Sequence, residues 1–277
     1  MRLIDGRAIA AGIAAENTAA VAELAATGVV PTLGIVVPTS DEATAWYVRS
    51  IQRAAAKVGV QTRVVQLSNP DRAEIVKQLA DLSADPNVHG VICQTPLPDG
   101  VALEDVVAAI DPAKDVDGAN PVSLGRLAAG LPTYSPATAA AVVEILRREE
   151  VPLAGRRAVV VGRSTVVGKP AALLLLAEHA TVTVCHSRTQ DLPAVCAEAD
   201  VLVAAVGRAG LIGADYVKPG AVIIDVGTNP TPDGGLVGDV DAEAVKPRAG
   251  ALTPVPGGVG PVTTMLLLRH TIQAATR

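Results

Sequence analysis

Apolar, β-branched runs alternate with helical patterns along the whole chain, and this alternation constrains the fold more than any other feature. The runs with the length and composition of buried strands are Thr32–Val37, Thr62–Leu67, His89–Cys93, Ala158–Val161, Thr181–Cys185, Val201–Ala205 and Ala221–Val226. The helical stretches between and after them include Ala43–Val58, Arg72–Leu82, Ala137–Arg148, Lys169–Glu178 and Pro261–Ala275. Alternation of this kind predicts an α/β protein with mainly parallel sheets and right-handed crossovers.

The near absence of aromatic residues agrees with that fold class. The 277 residues include no Phe, one Trp and three Tyr, while 49% of them are hydrophobic. The core must therefore consist of Ala, Val, Leu and Ile, as in a buried parallel sheet that is flanked by helices.

A polar stretch, Glu149–Gly155, interrupts the pattern just before a new strand and predicts a domain boundary. We expect a substrate-binding, catalytic α/β domain over residues 1–150 and a Rossmann-like domain over residues 151–259. The last helix, within residues 260–277, is expected to pack back on the first domain. Both domains are then of ordinary size.

The charge of the chain argues against several classes of partner. A net charge of -5 provides no basic surface for nucleic acid. Asp5, Arg7 and Glu16 interrupt the N-terminal apolar residues too often for the apolar region of a signal peptide, so we expect none. No run is long and uncharged enough to predict a membrane span, so we expect no membrane partner.

The cysteines indicate the compartment. There are three of them, an odd number, and none forms a CxxC pair. This pattern favours free or buried thiols in the reducing cytoplasm over disulfides or a metal site. We therefore expect a cytoplasmic protein and no metal ligands.

A glycine-rich turn lies between a strand and a helix in the second half of the chain. The strand Ala158–Val161 continues into Gly162, and a helical pattern follows Gly168. This places backbone N–H groups at a helix N-terminus, where a pyrophosphate binds well. Ser164 and Val167 occupy the second and third glycine positions of the usual dinucleotide fingerprint, so the turn alone also fits a purely structural role.

The end of the following strand indicates which dinucleotide would bind. An NAD-binding unit usually has Asp or Glu there, which binds the ribose 2′-hydroxyl. Here the sequence is Cys185-His186-Ser187-Arg188, without an acid. A hydroxyl and a guanidinium favour a 2′-phosphate, and Arg163 could contact the same group. This predicts NADP, unless both arginines are merely solvated surface residues.

Four motifs in the second half resemble one known family. They are VVVGRSTVVGKP at 159–170, CHSRT at 185–189, IIDVGTN at 223–229 and TPVPGGVGPVTT at 253–264. In this order they are similar to the methylenetetrahydrofolate dehydrogenase/cyclohydrolase family. The resemblance covers nearly the whole chain and is strongest from residue 156 onward.

The resemblance implies NADP as the cofactor and assigns many residues to its site. The implied cofactor-binding residues are Gly162, Arg163, Ser164, Ser187, Arg188, Gly207, Asp225, Gly227 and Thr228. Segments around Val206–Gly207, 225–227 and Gly260–Thr263 would line the nicotinamide, and Gly260 and Thr263 would also contact the substrate. Gly-rich loops at the carboxyl ends of parallel strands are common ligand sites. Some of these glycines also only turn the chain.

The first half resembles the same family around a smaller set of residues. By position, Tyr47 would flank the folate, Gln94 would assist catalysis and Asp117 would hold the pterin, while Thr44 supplies a hydroxyl. Two carboxylate oxygens suit the paired N–H groups of a pterin, and Tyr47 can stack on the aminobenzoyl ring. Tyr47 could instead be a half-buried helix residue, and Asp117, which precedes Gly118, a turn residue.

The family's catalytic lysine is absent. It would lie four residues after Tyr47, on the same helix face, and that position is Ile51. Arg49 and Arg53 lie off that face, and arginine does not exchange a proton as lysine does. Further departures in the first half are Pro38, Ala119, Asn120, Ala137, Ala139 and Ala141.

These residues predict an NADP-dependent oxidation of 5,10-methylenetetrahydrofolate to 5,10-methenyltetrahydrofolate with a lost or weak cyclohydrolase activity. Two alternatives remain, an NADP-dependent dehydrogenase of another small molecule and a non-catalytic protein that binds NADP or folate. The resemblance also implies a homodimer, with which an edge strand at Val182–Val184 is compatible.

Overall fold

A computed structural model describes residues 1–277 as an α/β protein. Its strands are β1 (Arg2–Leu3), β2 (Thr32–Val37), β3 (Gln61–Gln66), β4 (Gly90–Cys93), β5 (Arg157–Val161), β6 (Thr181–Cys185), β7 (Val201–Ala204), β8 (Val222–Asp225), β9 (Asn229–Pro230), β10 (Leu236–Val237) and β11 (Ala251–Leu252). Its α-helices are α1 (Gly6–Ala25), α2 (Glu42–Val58), α3 (Arg72–Ala84), α4 (Leu103–Val107), α5 (Pro121–Ala128), α6 (Ala137–Arg148), α7 (Gly168–Ala177), α8 (Leu192–Cys196), α9 (Ala242–Val245) and α10 (Val259–Ala274). The predicted fold class is confirmed.

The chain forms two compact units. The first, here called the six-stranded unit, comprises Met1–Ala11 and Thr138–Thr263. The second, the three-stranded unit, comprises Gly12–Ala137 and Thr264–Arg277.

This division differs from the predicted one at two places. Residues 1–11 belong to the six-stranded unit because β1 pairs in parallel with β11. Residues 138–150 belong there too, and Arg147 forms an ion pair with Glu178 of the same unit. Neither interaction joins neighbouring residues of the sequence, so the polar stretch at 149–155 did not reveal them. Residues 264–277 lie with the first half of the chain, as expected.

The six-stranded unit contains a fully parallel sheet in the order β1-β11-β8-β7-β5-β6. Strand β5 lies between β6 and β7, so the chain reverses its direction of progress beside β5. Ligands of open α/β sheets bind at the carboxyl ends of strands at such a point. The central strands β5, β7 and β8 are apolar over most of their length because both of their faces are covered, and Val161, Leu202 and Ile223 are fully buried.

The three-stranded unit contains a parallel sheet in the order β3-β2-β4, with Ile35 opposite Val64 on one side and Ile92 on the other. Helix α3 packs here through Ile75 and Leu79, which are fully buried. The carboxyl ends of β2 and β4 lie next to each other in this register, so the loops that follow them emerge at the same edge.

The predicted bounds of the long strands and helices agree with the structure within one or two residues. The sequence did not indicate the two-residue strands β1, β9, β10 and β11, since two residues show no periodicity.

One expectation about membranes is wrong by length and composition. Helix α1 has 20 residues and contains a window with a mean hydropathy of 1.2, which is enough for a candidate membrane span. Its many alanines outweigh the charges of Arg7, Glu16 and Glu23. Such a helix is weak evidence for a span, because buried helices and signal sequences pass the same test. In the structure, buried Asn17 of α1 donates to the Met265 carbonyl at 2.9 Å.

Candidate functional site

The turn after β5 brings the backbone unusually close to itself. Gly162 has φ of 130°, and a Cβ there would lie 2.1 Å from the carbonyl oxygen of Ala205. A Cβ on Gly168, at the start of α7, would lie 2.2 Å from the carbonyl oxygen of Gly162. Only glycine fits at either position, so the turn can pass directly over the ends of β5 and β7.

Ser164 organises the same turn rather than pointing freely to solvent. Its hydroxyl accepts hydrogen bonds from the backbone N–H groups of Val167, at 3.2 Å, and Gly168, at 3.4 Å. The side chain thus satisfies N–H groups at the start of α7, where no side chain of the N-cap residue does so. Arg163, beside it, is exposed.

The turn after β6 presents the two residues predicted to contact a 2′-phosphate. This turn is tight. The His186 N–H donates to the Thr189 hydroxyl and the Thr189 N–H donates to the His186 carbonyl, both at 2.9 Å. The Arg188 N–H donates to His186 Nδ1 at 3.1 Å. Ser187 and Arg188 are exposed, and neither Arg163 nor Arg188 forms an ion pair with a carboxylate. Both guanidinium groups are therefore available to an anion.

Asp225, a predicted cofactor-binding residue, is hydrogen-bonded to the backbone of the surrounding loops. Its buried carboxylate accepts backbone hydrogen bonds from Gly227 at 2.9 Å and from Asp239 and Val240 at 3.0 Å each. Burial raises the pKa of this carboxyl to about 6, although the three backbone hydrogen bonds act to lower it. These three hydrogen bonds hold the loop in place, and the predicted cofactor contact of Asp225 stays a prediction.

The sequence did not single out Asp239, which organises the neighbouring loop. Its fully buried carboxylate accepts hydrogen bonds from the N–H groups of Val206, Gly207 and Arg208, at 2.6 to 3.0 Å, and from the Asn229 side chain at 2.9 Å. The only feature of the sequence that could have indicated Asp239 is the Gly238-Asp239 pair after the apolar residues Leu236 and Val237. Asp239 thus sets the conformation of the predicted Gly207 segment.

Gly227 and Thr228 follow Asp225 at the end of β8. A Cβ on Gly227 would lie 2.4 Å from the Asp239 carboxylate, so this glycine is required by packing. Thr228 is exposed and lies at the surface next to it. Of the predicted cofactor residues, only Asp225 borders a recess of about 730 Å³ that also includes Gly210, Gly238 and Thr253.

In the three-stranded unit, Thr44 connects α2 to the loop that carries Gln94. Thr44 is buried; its N–H donates to the Asp41 carboxylate at 2.8 Å, which caps the helix. Its hydroxyl lies 3.0 Å from the carbonyl oxygen of Thr95. Gln94 itself donates its N–H to Val36 at 2.9 Å and has a partly exposed side chain. The Thr44 hydroxyl thus has partners within the unit, in Asp41 and Thr95, and its predicted substrate contact stays a prediction.

Tyr47, Asp117 and Thr264 come together although they lie far apart in the sequence. A hydrogen bond joins the Tyr47 side chain to that of Thr264, and the charge of Asp117 acts on the phenol. Burial, with help from Asp117, raises the pKa of Tyr47 to about 12, so its hydroxyl stays neutral and can donate. The sequence indicated Tyr47 and Asp117 as one site, whereas Thr264 was missed.

Asp117 is the electrostatically unusual residue of this unit. Its carboxyl is only partly accessible, and burial together with the nearby Asp115 raises its pKa to about 7, against one backbone hydrogen bond from Ala137. Asp117 is also a central residue of the turn that the Gly118 N–H closes by donating to the Asp115 carbonyl at 3.0 Å. The Asp115 carboxylate accepts from the N–H groups of Ala119 at 3.0 Å and Asn120 at 2.9 Å. A desolvated carboxyl with few donors fits the N–H groups of a ligand.

Ile51 lies on the buried face of α2 with Thr44, Val48, Ala55 and Val58. Its side chain is fully buried. No side chain on this turn of the helix can accept or donate a proton in place of a lysine, because Arg49 and Arg53 are exposed on the other side.

The predicted substrate residues Gly260 and Thr263 lie near the start of α10, in the six-stranded unit. The Thr263 hydroxyl donates to the carbonyl of Val259 at 3.2 Å within the same helix. The Thr263 hydroxyl is thus used within its own helix, whereas the next residue, Thr264, hydrogen-bonds the Tyr47 side chain within the three-stranded unit.

The residues of the six-stranded unit fit a phosphorylated dinucleotide. Glycines keep the turn after β5 free of side chains, and two unpaired arginines flank it. The end of β6 presents Ser187 and Arg188 where a carboxylate would repel a 2′-phosphate. The three-stranded unit supplies an acid and a phenol suited to a pterin and its attached ring.

Comparisons with known proteins agree with this division of roles. Residues 4–117 match the tetrahydrofolate dehydrogenase/cyclohydrolase catalytic domain, and residues 136–277 match the NAD(P)-binding domain of the same family. The chain is 66% identical over 275 residues to the bifunctional protein FolD of Parafrankia sp. (strain EAN1pec), covering 99% of each chain.

Solved structures show the same likeness. The bifunctional FolD of Campylobacter jejuni has a TM-score of 0.97 and 37% identity, with 100% of this chain and 99% of that one covered. The FolD of Trypanosoma brucei, solved with NADP cofactor and inhibitor, has a TM-score of 0.94 and 38% identity, with 99% and 97% covered. With both units matched along nearly their whole length, the chain belongs to the tetrahydrofolate dehydrogenase/cyclohydrolase family.

Proposed function

We propose that this chain oxidises 5,10-methylenetetrahydrofolate with NADP+ to give 5,10-methenyltetrahydrofolate and NADPH, and that it hydrolyses the methenyl product poorly. The observation that carries the second part is the fully buried Ile51 at the position of the family's lysine. Two relatives that are 66% and 62% identical are named bifunctional proteins. For this chain we propose that the oxidation is retained and that the hydrolysis is weak.

The oxidation demands little proton chemistry from the protein. A nitrogen lone pair of the folate expels the hydride from the one-carbon bridge, and NADP+, when bound, accepts it. The chain's own residues bind and orient the substrate, which is a large part of catalysis for such a reaction. Asp117 accepts N–H groups of the pterin, and the neutral Tyr47 hydroxyl lies beside it.

Hydrolysis of the methenyl bridge differs, because a water must lose a proton and a nitrogen must gain one. A positioned acid–base group typically contributes a factor of ~10²–10⁴ to such a step. Ile51 cannot act in this way, and the pKa of Tyr47, about 12, lies far from neutral pH. Gln94 can hydrogen-bond but does not titrate.

The test follows both products with the purified protein in the presence of NADP+. NADPH and methenyltetrahydrofolate should appear together, and the methenyl signal should then decay at the buffer rate. Rapid conversion to formyltetrahydrofolate above that rate would show that another group replaces the lysine. Absence of NADPH formation with any folate would favour a different substrate or a non-catalytic role.

We further propose that the chain forms a homodimer through the edge of its six-stranded sheet. Strand β6 lies at that edge, so its backbone groups on one side have no partner strand. Val184 on β6 is 41% exposed and Leu176 on the adjacent α7 is 60% exposed, which leaves apolar surface beside the edge. Light scattering at micromolar concentration should give twice the 28.0 kDa chain mass, and Val184→Lys should reduce it. A wild-type monomer would contradict the proposal.

We also propose that the protein works in the cytoplasm. The three cysteines are free thiols, and Cys185 and Cys196 are buried, as suits a reducing compartment. Fractionation of cells that produce the protein should recover it with cytoplasmic markers, and recovery with membranes would contradict this.

A further inference from the structure

Asp117 lies in a compact turn, Lys114–Gly118, of which several backbone groups are hydrogen-bonded within the three-stranded unit. The Lys114 carbonyl accepts from the N–H groups of Val91 at 2.8 Å and Val116 at 2.9 Å, and the Asp115 carbonyl accepts from Gly118 at 3.0 Å. The carbonyl of Val116 has a side-chain partner, Nδ1 of His270, at 2.8 Å.

The chemistry of this contact fixes the state of the imidazole. A carbonyl oxygen only accepts, so Nδ1 must carry the hydrogen. Burial, with the charge of Arg269, lowers the pKa of His270 and keeps the ring neutral. The buried Tyr134 ring lies against it, with 5.2 Å between the ring centroids.

The carbonyl of Val116 and the nitrogen of Asp117 belong to the same planar peptide unit. A hydrogen bond that holds this carbonyl therefore also holds the plane from which the Asp117 side chain starts. The Val116 side chain is fully buried against Gly90, where a Cβ would come within 2.8 Å of its methyl groups. Val116 is thus held at two points: its carbonyl by the hydrogen bond from His270, and its side chain by packing against Gly90.

We propose that His270 is a positioning residue for folate binding and that it orients the Asp117 carboxyl through the Val116–Asp117 peptide. None of the motifs in the sequence includes His270. The inference rests on the proposed function in so far as Asp117 contacts the folate.

Three substitutions separate positioning from general stability. Asn at position 270 can place an amide N–H near the Nδ1 position, Gln carries its amide one methylene farther out, and Leu has no donor. We expect His270→Leu to raise the KM for methylenetetrahydrofolate about 5–10-fold, as for one lost hydrogen bond, with the KM for NADP+ unchanged. His270→Asn should stay within about twofold of wild type, and His270→Gln should resemble Leu.

The pH profile provides a readout that a purely structural role would not move. The limb of kcat/KM that reports Asp117 should shift in His270→Leu and return in His270→Asn. Equal losses in all three variants, with NADP+ binding weakened as well, would overturn the proposal, and so would wild-type kinetics in His270→Leu.

A binding measurement distinguishes failure of this inference from failure of the proposed function. Trp46 is the only tryptophan, lies next to Tyr47 and is exposed, so its fluorescence can report the binding of 5-formyltetrahydrofolate. If wild type binds this probe but turns over no folate, the proposed function fails. His270 dependence of the binding would then still support the positioning role, and independence would overturn it.

Discussion

The carboxylates near the predicted sites of the two units differ in how many hydrogen-bond donors they have. In the six-stranded unit, Asp225 accepts three backbone hydrogen bonds and Asp239 accepts four hydrogen bonds, three of them from the backbone. In the three-stranded unit, Asp117 has a single backbone donor, from Ala137, and its pKa is raised to about 7. A carboxylate saturated by amides shapes a loop, whereas one short of donors can receive a ligand.

The two units also differ in the side chains that accompany these carboxylates. The six-stranded unit presents Arg163 and Arg188 on its surface, where an anion reaches them from solvent. The three-stranded unit holds a partly buried Tyr47 whose hydroxyl stays neutral, and it has a fully buried Ile51 where the resemblance implies a lysine. Substitutions around Tyr47 and Asp117 should therefore leave the affinity for NADP+ unchanged.

The largest effect is expected for Asp117→Ala. Two charge-assisted hydrogen bonds to a pterin contribute about 1.5–3 kcal/mol each, so kcat/KM for methylenetetrahydrofolate should fall ~10²–10⁴-fold. NADP+ affinity, measured by titration, should be unchanged. Asp99→Ala, an exposed acid of the same unit, is the matched control and should behave as wild type. Normal oxidation by Asp117→Ala would make this residue only part of a turn.

The next effect concerns the cofactor. Arg188→Ala or Arg163→Ala should weaken NADP+ binding by about 1.5–3 kcal/mol, or roughly 10–150-fold, if the lost contact is charge-assisted. NAD+ binding should barely change, since it lacks the 2′-phosphate. Arg248→Ala, another exposed arginine of the six-stranded unit, is the control. Equal affinity of wild type for both cofactors would contradict the assignment.

A smaller change is expected for Ile51→Lys. A lysine buried at position 51, one helical turn after Tyr47, should have a lowered pKa and recover part of the ~10²–10⁴-fold contribution of an acid–base group to methenyl hydrolysis. The same charge should lower the melting temperature. Ile51→Met keeps an apolar side chain and should leave hydrolysis at the buffer rate. Faster methenyl hydrolysis in both Ile51→Met and Ile51→Lys would mean that the effect does not come from the charge of the lysine.

The smallest effect is on stability, through Asp117→Asn. Between the ordinary carboxyl pKa of 3.8 and the folded value of about 7, the folded protein binds a proton that the unfolded chain releases. This carboxyl therefore lowers stability as pH rises through that window. Asp117→Asn should raise the melting temperature by a few degrees at pH 8 and not at pH 4. An equal shift at both pH values would exclude the desolvated carboxyl as its cause.

The same raised pKa predicts a pH dependence of substrate binding in wild type. The ionised carboxylate accepts paired N–H groups, so the folate KM should fall as pH rises through about 7. The KM for NADP+ should not follow this curve. A flat folate KM between pH 6 and 8 would show that Asp117 is already ionised in the free protein.

The sequence by itself determined the α/β class and most of the long strands and helices, although it did not indicate α1. It also contained the resemblance, which implies one site for Tyr47, Asp117 and position 51. It could do so because apolar periodicity and glycine turns are local properties of the chain. The alternation of runs around β5 also indicated where the glycine turn would lie.

Only the tertiary structure decided which acids are occupied and which are available. Asp225, Asp239 and Asp117 all lie near predicted site segments, yet their roles depend on N–H donors from 2 to 33 residues away. Thr264 and His270 lie on α10 and act on Tyr47 and Val116, more than 150 residues earlier. Hydrogen bonds between such distant residues, and the desolvation that accompanies them, form only when the chain folds. The local sequence pattern therefore cannot identify the partner of a buried polar side chain.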